Sequence, residues 1–201
     1  MVTAMEITIR KINNKKRFTL KIIETGIDDL IVLEPVVFGD ERGYFYESFN
    51  ENVWKEKVGK VPNFVQDNES MSHRGVLRGL HFQKPPFAQA KLVRVVAGSA
   101  IDVAVDIRKN SSTYGQSFSV KLTAENKKQM FVPEGFAHGF VTLEDNTIFS
   151  YKCTNYYNKE SEDGLQWNDS SLNINWEIND PILSEKDKSY KSFINFATPF
   201  D

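Results

Sequence analysis

Eleven short stretches rich in β-branched and aromatic residues, each closed off by turn chemistry, leave this chain little room to be anything but a strand-built fold. They cover residues 18–23, 31–33, 44–49, 64–68, 76–83, 91–97, 100–107, 118–122, 129–132, 139–143 and 148–154. Val96-Ala97-Gly98-Ser99 and Pro133-Glu134-Gly135 supply turns between them. Helical spacing is confined to about residues 51–58 and to 184–191, where Ser184-Glu185-Lys186-Asp187 has the spacing of a capping box. Many short antiparallel strands with so little helix predict an all-β sandwich or jelly-roll barrel, with a few short helices, rather than an α/β fold. With 201 residues, 40% of them hydrophobic, the chain can bury one sizeable core. A single domain over 1–201 is expected, with 1–25 and 189–201 as peripheral extensions.

One strand-like run carries chemistry. Gly75-Val76-Leu77-Arg78-Gly79-Leu80-His81-Phe82-Gln83 sets a cation and an imidazole three residues apart, on opposite faces of a regular strand. A twist or bulge must intervene for the two to act together, and the glycines at 75 and 79 permit one. Arginine is the natural grip for a phosphate and histidine the natural proton carrier near neutral pH, so the run suggests a phosphorylated ligand and proton-transfer chemistry. The plainer alternative is a buried, satisfied histidine beside a surface arginine.

Several function classes are disfavoured. A net charge of −2 gives no global attraction to nucleic acid or to an anionic membrane. The basic cluster Arg10, Lys11, Lys15, Lys16 and Arg17 is local and reads as a solvated N-terminal arm. No continuous apolar stretch opens the chain and no segment reaches the length of a membrane span, so a cytoplasmic location is expected. The lone Cys153 excludes an internal disulfide and fits a reducing compartment. Only His73, His81 and His138 could offer imidazole to a metal, and position 83, where an H-x-H pair would continue, is Gln83, so a metal-free site is expected. No Gly-rich turn enters a helix, and no redox cofactor is expected.

The run around His81 resembles the signature of the dTDP-4-dehydrorhamnose 3,5-epimerase family. So do six further blocks in the family's order: Phe38-Gly39-Asp40-Glu41-Arg42-Gly43, Val65-Gln66-Asp67-Asn68, Lys91-Leu92-Val93-Arg94, Val103-Ala104-Val105-Asp106-Ile107-Arg108, Pro133-Glu134-Gly135-Phe136-Ala137-His138-Gly139-Phe140 and Tyr151-Lys152-Cys153-Thr154-Asn155-Tyr156-Tyr157. The resemblance implies a cupin-type jelly roll, a homodimer, and a dTDP-sugar substrate inverted at C3 and C5 without a cofactor. It implies His81 as base, Tyr151 as acid on the other face of the sugar and Lys91 as the cation beside the developing oxyanion, roles those residue types suit. Asp187, in Leu183-Ser184-Glu185-Lys186-Asp187, would hold the second ring nitrogen of His81. Asp187 equally reads as the carboxylate of a helix cap, and it could serve both roles only if its side chain leaves the cap.

For the nucleotide end, the resemblance implies Arg42 and Arg78 on the diphosphate. Glu47, Gln66, Asp67 and Asn68 would lie at the thymidine, His138 at the sugar or phosphate and Tyr157 beside the sugar, with Glu162 and Lys186 as further contacts. Part of the pocket is expected from the partner subunit. The start through Thr25, the loop with Pro85-Pro86 and the tail after Lys188 depart from the family pattern and leave substrate preference open. Two alternatives stand beside the 3,5-epimerase: a single-centre epimerase or ketoisomerase on a related nucleotide 4-ketosugar, and a non-enzymatic cupin that only binds sugar.

Overall fold

The computed structural model describes residues 20–201. In chain order its strands are β1 (Lys21–Glu24), β2 (Ile31–Glu34), β3 (Phe38–Asp40), β4 (Gly43–Phe45), β5 (Gln66–Ser72), β6 (Leu77–Gln83), β7 (Lys91–Ala97), β8 (Ser99–Asp106), β9 (Ser117–Thr123), β10 (Gln129–Val132), β11 (Phe136–Thr142), β12 (Thr147–Cys153) and β13 (Glu162–Gly164). Two short helices join them, α1 (Glu51–Lys57) and α2 (Glu185–Ser189). The strands form a six-stranded sheet, β1-β2-β10-β7-β12-β5, and a five-stranded sheet, β13-β6-β11-β8-β9, with the hairpin β3–β4 apart from both. All neighbouring strands are antiparallel and most neighbours within the two large sheets are non-sequential, as a jelly-roll barrel requires.

Alternation along the strands divides the apolar side chains among three clusters. Val32, Val93, Val95, Met130 and Phe149 of the six-stranded sheet meet Ala100, Ala104, Leu122, Phe136 and Phe140 of the five-stranded sheet in the interior. There the rings of Phe140 and Phe149 stack with centroids 3.9 Å apart. The intervening residues of β8 (Ile101, Val103, Val105) belong to a second cluster on the opposite face, closed by Leu165, Leu172 and Trp176 and joined by Phe193, Phe196 and Phe200 of the tail. Every residue of β8 is therefore buried. The tail is fastened by backbone as well: the Lys109 N–H donates to the Phe200 carbonyl at 3.1 Å, and the Thr198 hydroxyl to that of Ile107. The third cluster gathers Ile31, Leu33 and Leu92 around Trp54 of α1.

Several elements differ from expectation in their bounds. The strand expected over 64–68 lies at Gln66–Ser72, because its less exposed positions, Gln66, Asn68, Ser70 and Ser72, are polar and give no hydrophobic period. The strand expected over 44–49 shrinks to Gly43–Phe45 and gains β3 as a partner. Tyr44 and Phe45 stand 60% exposed. The strand expected over 139–143 begins at Phe136, directly after the Pro-Glu-Gly turn. The second helix ends at Ser189, with Tyr190 already extended. Of the strand expected over 18–23, Phe18 and Thr19 lie outside the described residues, as does the basic cluster.

Candidate active site

The bulge that would bring Arg78 and His81 together is present where β6 meets β11. His81 pairs with His138 and Arg78 with Phe140, so two residues of β6 face the single Gly139. Gly79 has φ +133°, and a Cβ there would collide with the Cα of Gly139. A Cβ on Gly139 would come within 2.8 Å of the Arg78 carbonyl oxygen. Only a glycine pair admits so close a backbone approach, and its effect is to turn both functional side chains into one cavity.

That cavity has a volume of about 630 Å³, and its wall includes Arg78, His81, Lys91, His138, Tyr151 and Asp187. A second of about 200 Å³ shares His81, Lys91 and Tyr151 with it and adds Gln66, Asn68, Tyr157 and Glu162. His81 comes from the five-stranded sheet, whereas Lys91 and Tyr151 come from the six-stranded sheet. The imidazole and the phenol therefore reach the cavity from opposite sheets.

His81 Nε2 lies 2.5 Å from Asp187 Oδ1. The Ser184 hydroxyl donates to Asp187 Oδ2 at 2.6 Å and accepts from the Asp187 backbone N–H at 3.2 Å. The cap and the imidazole contact thus coexist: the serine oxygen satisfies the helix terminus, and the carboxylate, 3% exposed, turns to the ring. Burial alone would raise the Asp187 pKa. Hydrogen bonds from His81 and Ser184, with a further one from the Gly79 backbone, outweigh it and hold the carboxyl below the usual range. An ionised carboxylate accepts, so Nε2 carries a proton, and the neutral form of the ring has its lone pair on Nδ1.

A second imidazole–carboxylate pair stands across the strand, His138 Nε2 to Asp102 Oδ1 at 2.8 Å. Asp102 is fully buried, and its other oxygen has no hydrogen-bond partner among the described residues. Burial raises its pKa, opposed by the charges of His138 and Lys91. Lys91 forms no ion pair among the described residues. Burial pulls its ammonium pKa down against the opposing pull of Cys153, Asp102 and Glu162. The Tyr151 phenol is pushed up, mainly by burial and further by Cys153, with Arg78 pulling the other way.

The guanidinium of Arg78 meets no carboxylate among the described residues; Nε and Nη2 each donate to Ser72 Oγ at 3.3 Å. The rim is tied by Lys186, which donates to Glu162 at 2.7 Å, and by the Tyr157 hydroxyl, which donates to the same carboxylate at 3.0 Å.

Three expected binding residues lie apart from this cavity. Arg42 sits on the β3–β4 hairpin, forked on Asp40 and with its side chain 84% exposed. Glu47 accepts from the Asn50 side chain at 3.0 Å beside α1. Asp67 points to the face of β5 away from Gln66 and Asn68, where Lys152 donates to both its oxygens at 2.9 Å. Sequence reasoning missed Ser70, Ser72 and Asp102. The first two carried no signal, since 66–72 is polar at every position but Met71, whereas Asp102 was signalled by a lone charge inside the apolar run 100–105. Among the described residues, no three or more His, Cys, Asp or Glu side chains group so as to hold a metal ion.

Comparison with known proteins finds likeness over most of the chain. Residues 24–195 match the family model described as dTDP-4-dehydrorhamnose 3,5-epimerase. A Shigella flexneri protein of that name is 53% identical over 176 residues, 88% of this chain and 97% of that one. A crystal structure of an epimerase from Legionella pneumophila in complex with dTDP-4-keto-L-rhamnose superposes with a TM-score of 0.84 at 48% identity, covering 89% of this chain and 95% of that one. A 3'-monoepimerase from Streptomyces bikiniensis in complex with dTDP-quinovose is also similar, at a TM-score of 0.80 and 31% identity over 84% of this chain and 85% of that one.

Proposed function

Because the chain belongs to the dTDP-4-dehydrorhamnose 3,5-epimerase family, we infer that it is the isomerase that converts dTDP-4-dehydro-6-deoxy-D-glucose to dTDP-4-dehydro-L-rhamnose, a step in making dTDP-L-rhamnose. The observation that carries the mechanism is His81 of one sheet, paired with Asp187 of α2, facing Tyr151 and Lys91 of the other sheet across one cavity.

A carbon beside a ketone is acidic once its enolate is stabilised. His81 Nδ1 takes the proton from C3 or C5, and Asp187 stabilises the imidazolium that results. The electron pair moves onto the C4 oxygen, where the unpaired Lys91 ammonium is the available counter-charge. Tyr151 returns a proton to the opposite face, and the raised phenol pKa keeps it protonated until that step. Repetition at the second carbon completes the inversion, with protons exchanged through solvent between rounds. Two groups on opposite sheets suit inversion, since a single base acting on one face would restore the starting configuration.

Arg78, held by Ser72 and free of any acid among the described residues, grips the diphosphate. Gln66, Asn68, Tyr157, Glu162 and Lys186 line the way out to the nucleotide, and His138 lies at the sugar. The protein works as a homodimer in which Arg42 and Glu47 complete the neighbouring subunit's pocket, a reading supported by their distance from their own cavity and by the exposed Tyr44 and Phe45 on the same hairpin. An unpaired Cys153 supports action in the cytoplasm, and no helix among the described residues is long and apolar enough to cross a membrane. The test is incubation with dTDP-4-dehydro-6-deoxy-D-glucose and assignment of the product by NMR. Inversion at both carbons is expected; a product inverted at C3 alone would replace this reading with a single-centre epimerase.

A further inference from the structure

The segment that follows Asp187 places an aromatic ring against the proposed base. Tyr190 caps the C-terminal end of α2 in an extended conformation, φ −67° and ψ 154°. Its ring centroid lies 5.6 Å from that of His81 with the planes inclined at 64°, the edge-to-face geometry aromatic pairs prefer. Tyr190 follows Asp187 by three residues, a spacing that puts two side chains on one side of a helical turn. The short helix and the residue that follows it thus deliver a carboxylate and a ring to the same imidazole.

The surroundings fix that ring. Lys191 forms a parallel bridge with Leu165, and its carbonyl accepts from the Gln166 N–H at 2.9 Å. Gly164 pairs with His81 across β13 and β6, and its missing side chain makes the space, since a Cβ there would come within 2.7 Å of the Tyr190 ring. The hydroxyl has no hydrogen-bond partner among the described residues, and Tyr190 is part of neither cavity wall.

We propose that Tyr190 is a positioning residue: its ring blocks rotation of the His81 imidazole away from Asp187 and keeps Nδ1 aimed into the cavity. The proposal rests on the reading of His81 as the base. It assigns a role to the ring alone and none to the hydroxyl.

The test compares Tyr190→Leu and Tyr190→Phe with the unmodified protein for kcat and KM on dTDP-4-dehydro-6-deoxy-D-glucose, with His81→Ala in the same series. Loss of an aromatic pair predicts that Tyr190→Leu lowers kcat about three- to tenfold with KM changed by less than about twofold, and that Tyr190→Phe matches the unmodified protein. An unchanged kcat in Tyr190→Leu, an effect on KM alone, or equal damage in Tyr190→Phe would overturn the proposal. If Tyr190→Leu does not fold, the unmodified protein still decides: nuclear Overhauser contacts between the ring protons of Tyr190 and His81 are expected, and their absence overturns the contact. Full activity in His81→Ala would instead overturn the base assignment, whatever Tyr190 does.

Discussion

Replacing Asp187 by asparagine separates catalysis from folding at a single atom. The substitution keeps the shape of a side chain that touches His81 Nε2 at 2.5 Å and the Ser184 hydroxyl at 2.6 Å. The amide oxygen can still accept from the imidazole, so the ring stays oriented, but the negative charge that steadies an imidazolium is gone. A hydrogen bond to a charged group contributes about 1.5–3 kcal/mol, against about 1 kcal/mol for a neutral one. The difference of about 0.5–2 kcal/mol falls on the transition state, a loss of about 2- to 30-fold in kcat. Folding should suffer less, because the helix-capping bond runs from the Asp187 backbone N–H to Ser184 Oγ and survives the change. A Tm lowered by no more than about 4 °C is expected, on the scale of about 2–4 °C per kcal/mol for a chain of this size.

The pH dependence of that Tm difference has a definite sign. The folded Asp187 pKa is depressed, so its charge stabilises above the unfolded carboxyl value of about 3.9 and the contribution is lost as pH falls through the folded value. The gap between the two proteins should therefore be present at pH 6–8 and close in acid. Solvent-deuterium incorporation at C3 and C5 measures turnover, and thermal melting measures stability. Unimpaired exchange together with a large drop in Tm would show Asp187 to be a cap and nothing more.

Three further substitutions probe other parts of the account. Ser72→Ala frees the Arg78 guanidinium from its only hydrogen-bond partner among the described residues and should raise KM about three- to tenfold while leaving kcat unchanged; steady-state kinetics would show otherwise if kcat fell instead. Lys91→Met removes a half-buried cation that desolvation disfavours, so Tm should rise while turnover drops about 100-fold or more. Because the folded Lys91 pKa lies below the unfolded one, the unmodified protein should gain stability as pH rises through the folded value toward about 10.4, a gain absent from Lys91→Met in melting curves. Gly139→Ala forces a Cβ to within 2.8 Å of the Arg78 carbonyl oxygen and should cost about 1–3 kcal/mol of stability together with activity; a Tm and kcat equal to those of the unmodified protein would remove the bulge from the account.

Legibility in the sequence followed the physics of each strand. Residues 91–97 and 129–132 carry an apolar period on one face and lie where the pattern places them. Strand β5 has polar residues at its less exposed positions because several of them line the site, so the signal that finds strands is weakest there. Gly79 announced an irregularity between Arg78 and His81, yet the second half of that bulge, Gly139, lies 60 residues away and is tied to it only by pairing. Asp102 stood out only as a lone charge in a strand that is buried along its whole length. Ser184 and Asp187 were legible as a cap, but the meeting of Asp187 with His81 spans 106 positions and came only through the family resemblance. Arg42, Glu47 and Asp67 match that resemblance in sequence and lie apart from the cavity of their own chain.

Exchange of solvent hydrogen into the substrate bears most directly on acid–base inversion by groups on opposite sheets. The protein would be incubated in deuterated water with dTDP-4-dehydro-6-deoxy-D-glucose, and deuterium at C3 and C5 followed by mass and NMR, alongside His81→Ala and Tyr151→Phe. Deuterium at both carbons is predicted for the unmodified protein, none for His81→Ala, and for Tyr151→Phe exchange without full inversion. Undiminished exchange at both carbons in His81→Ala, or tight binding of the nucleotide sugar with no exchange in the unmodified protein, would contradict the account.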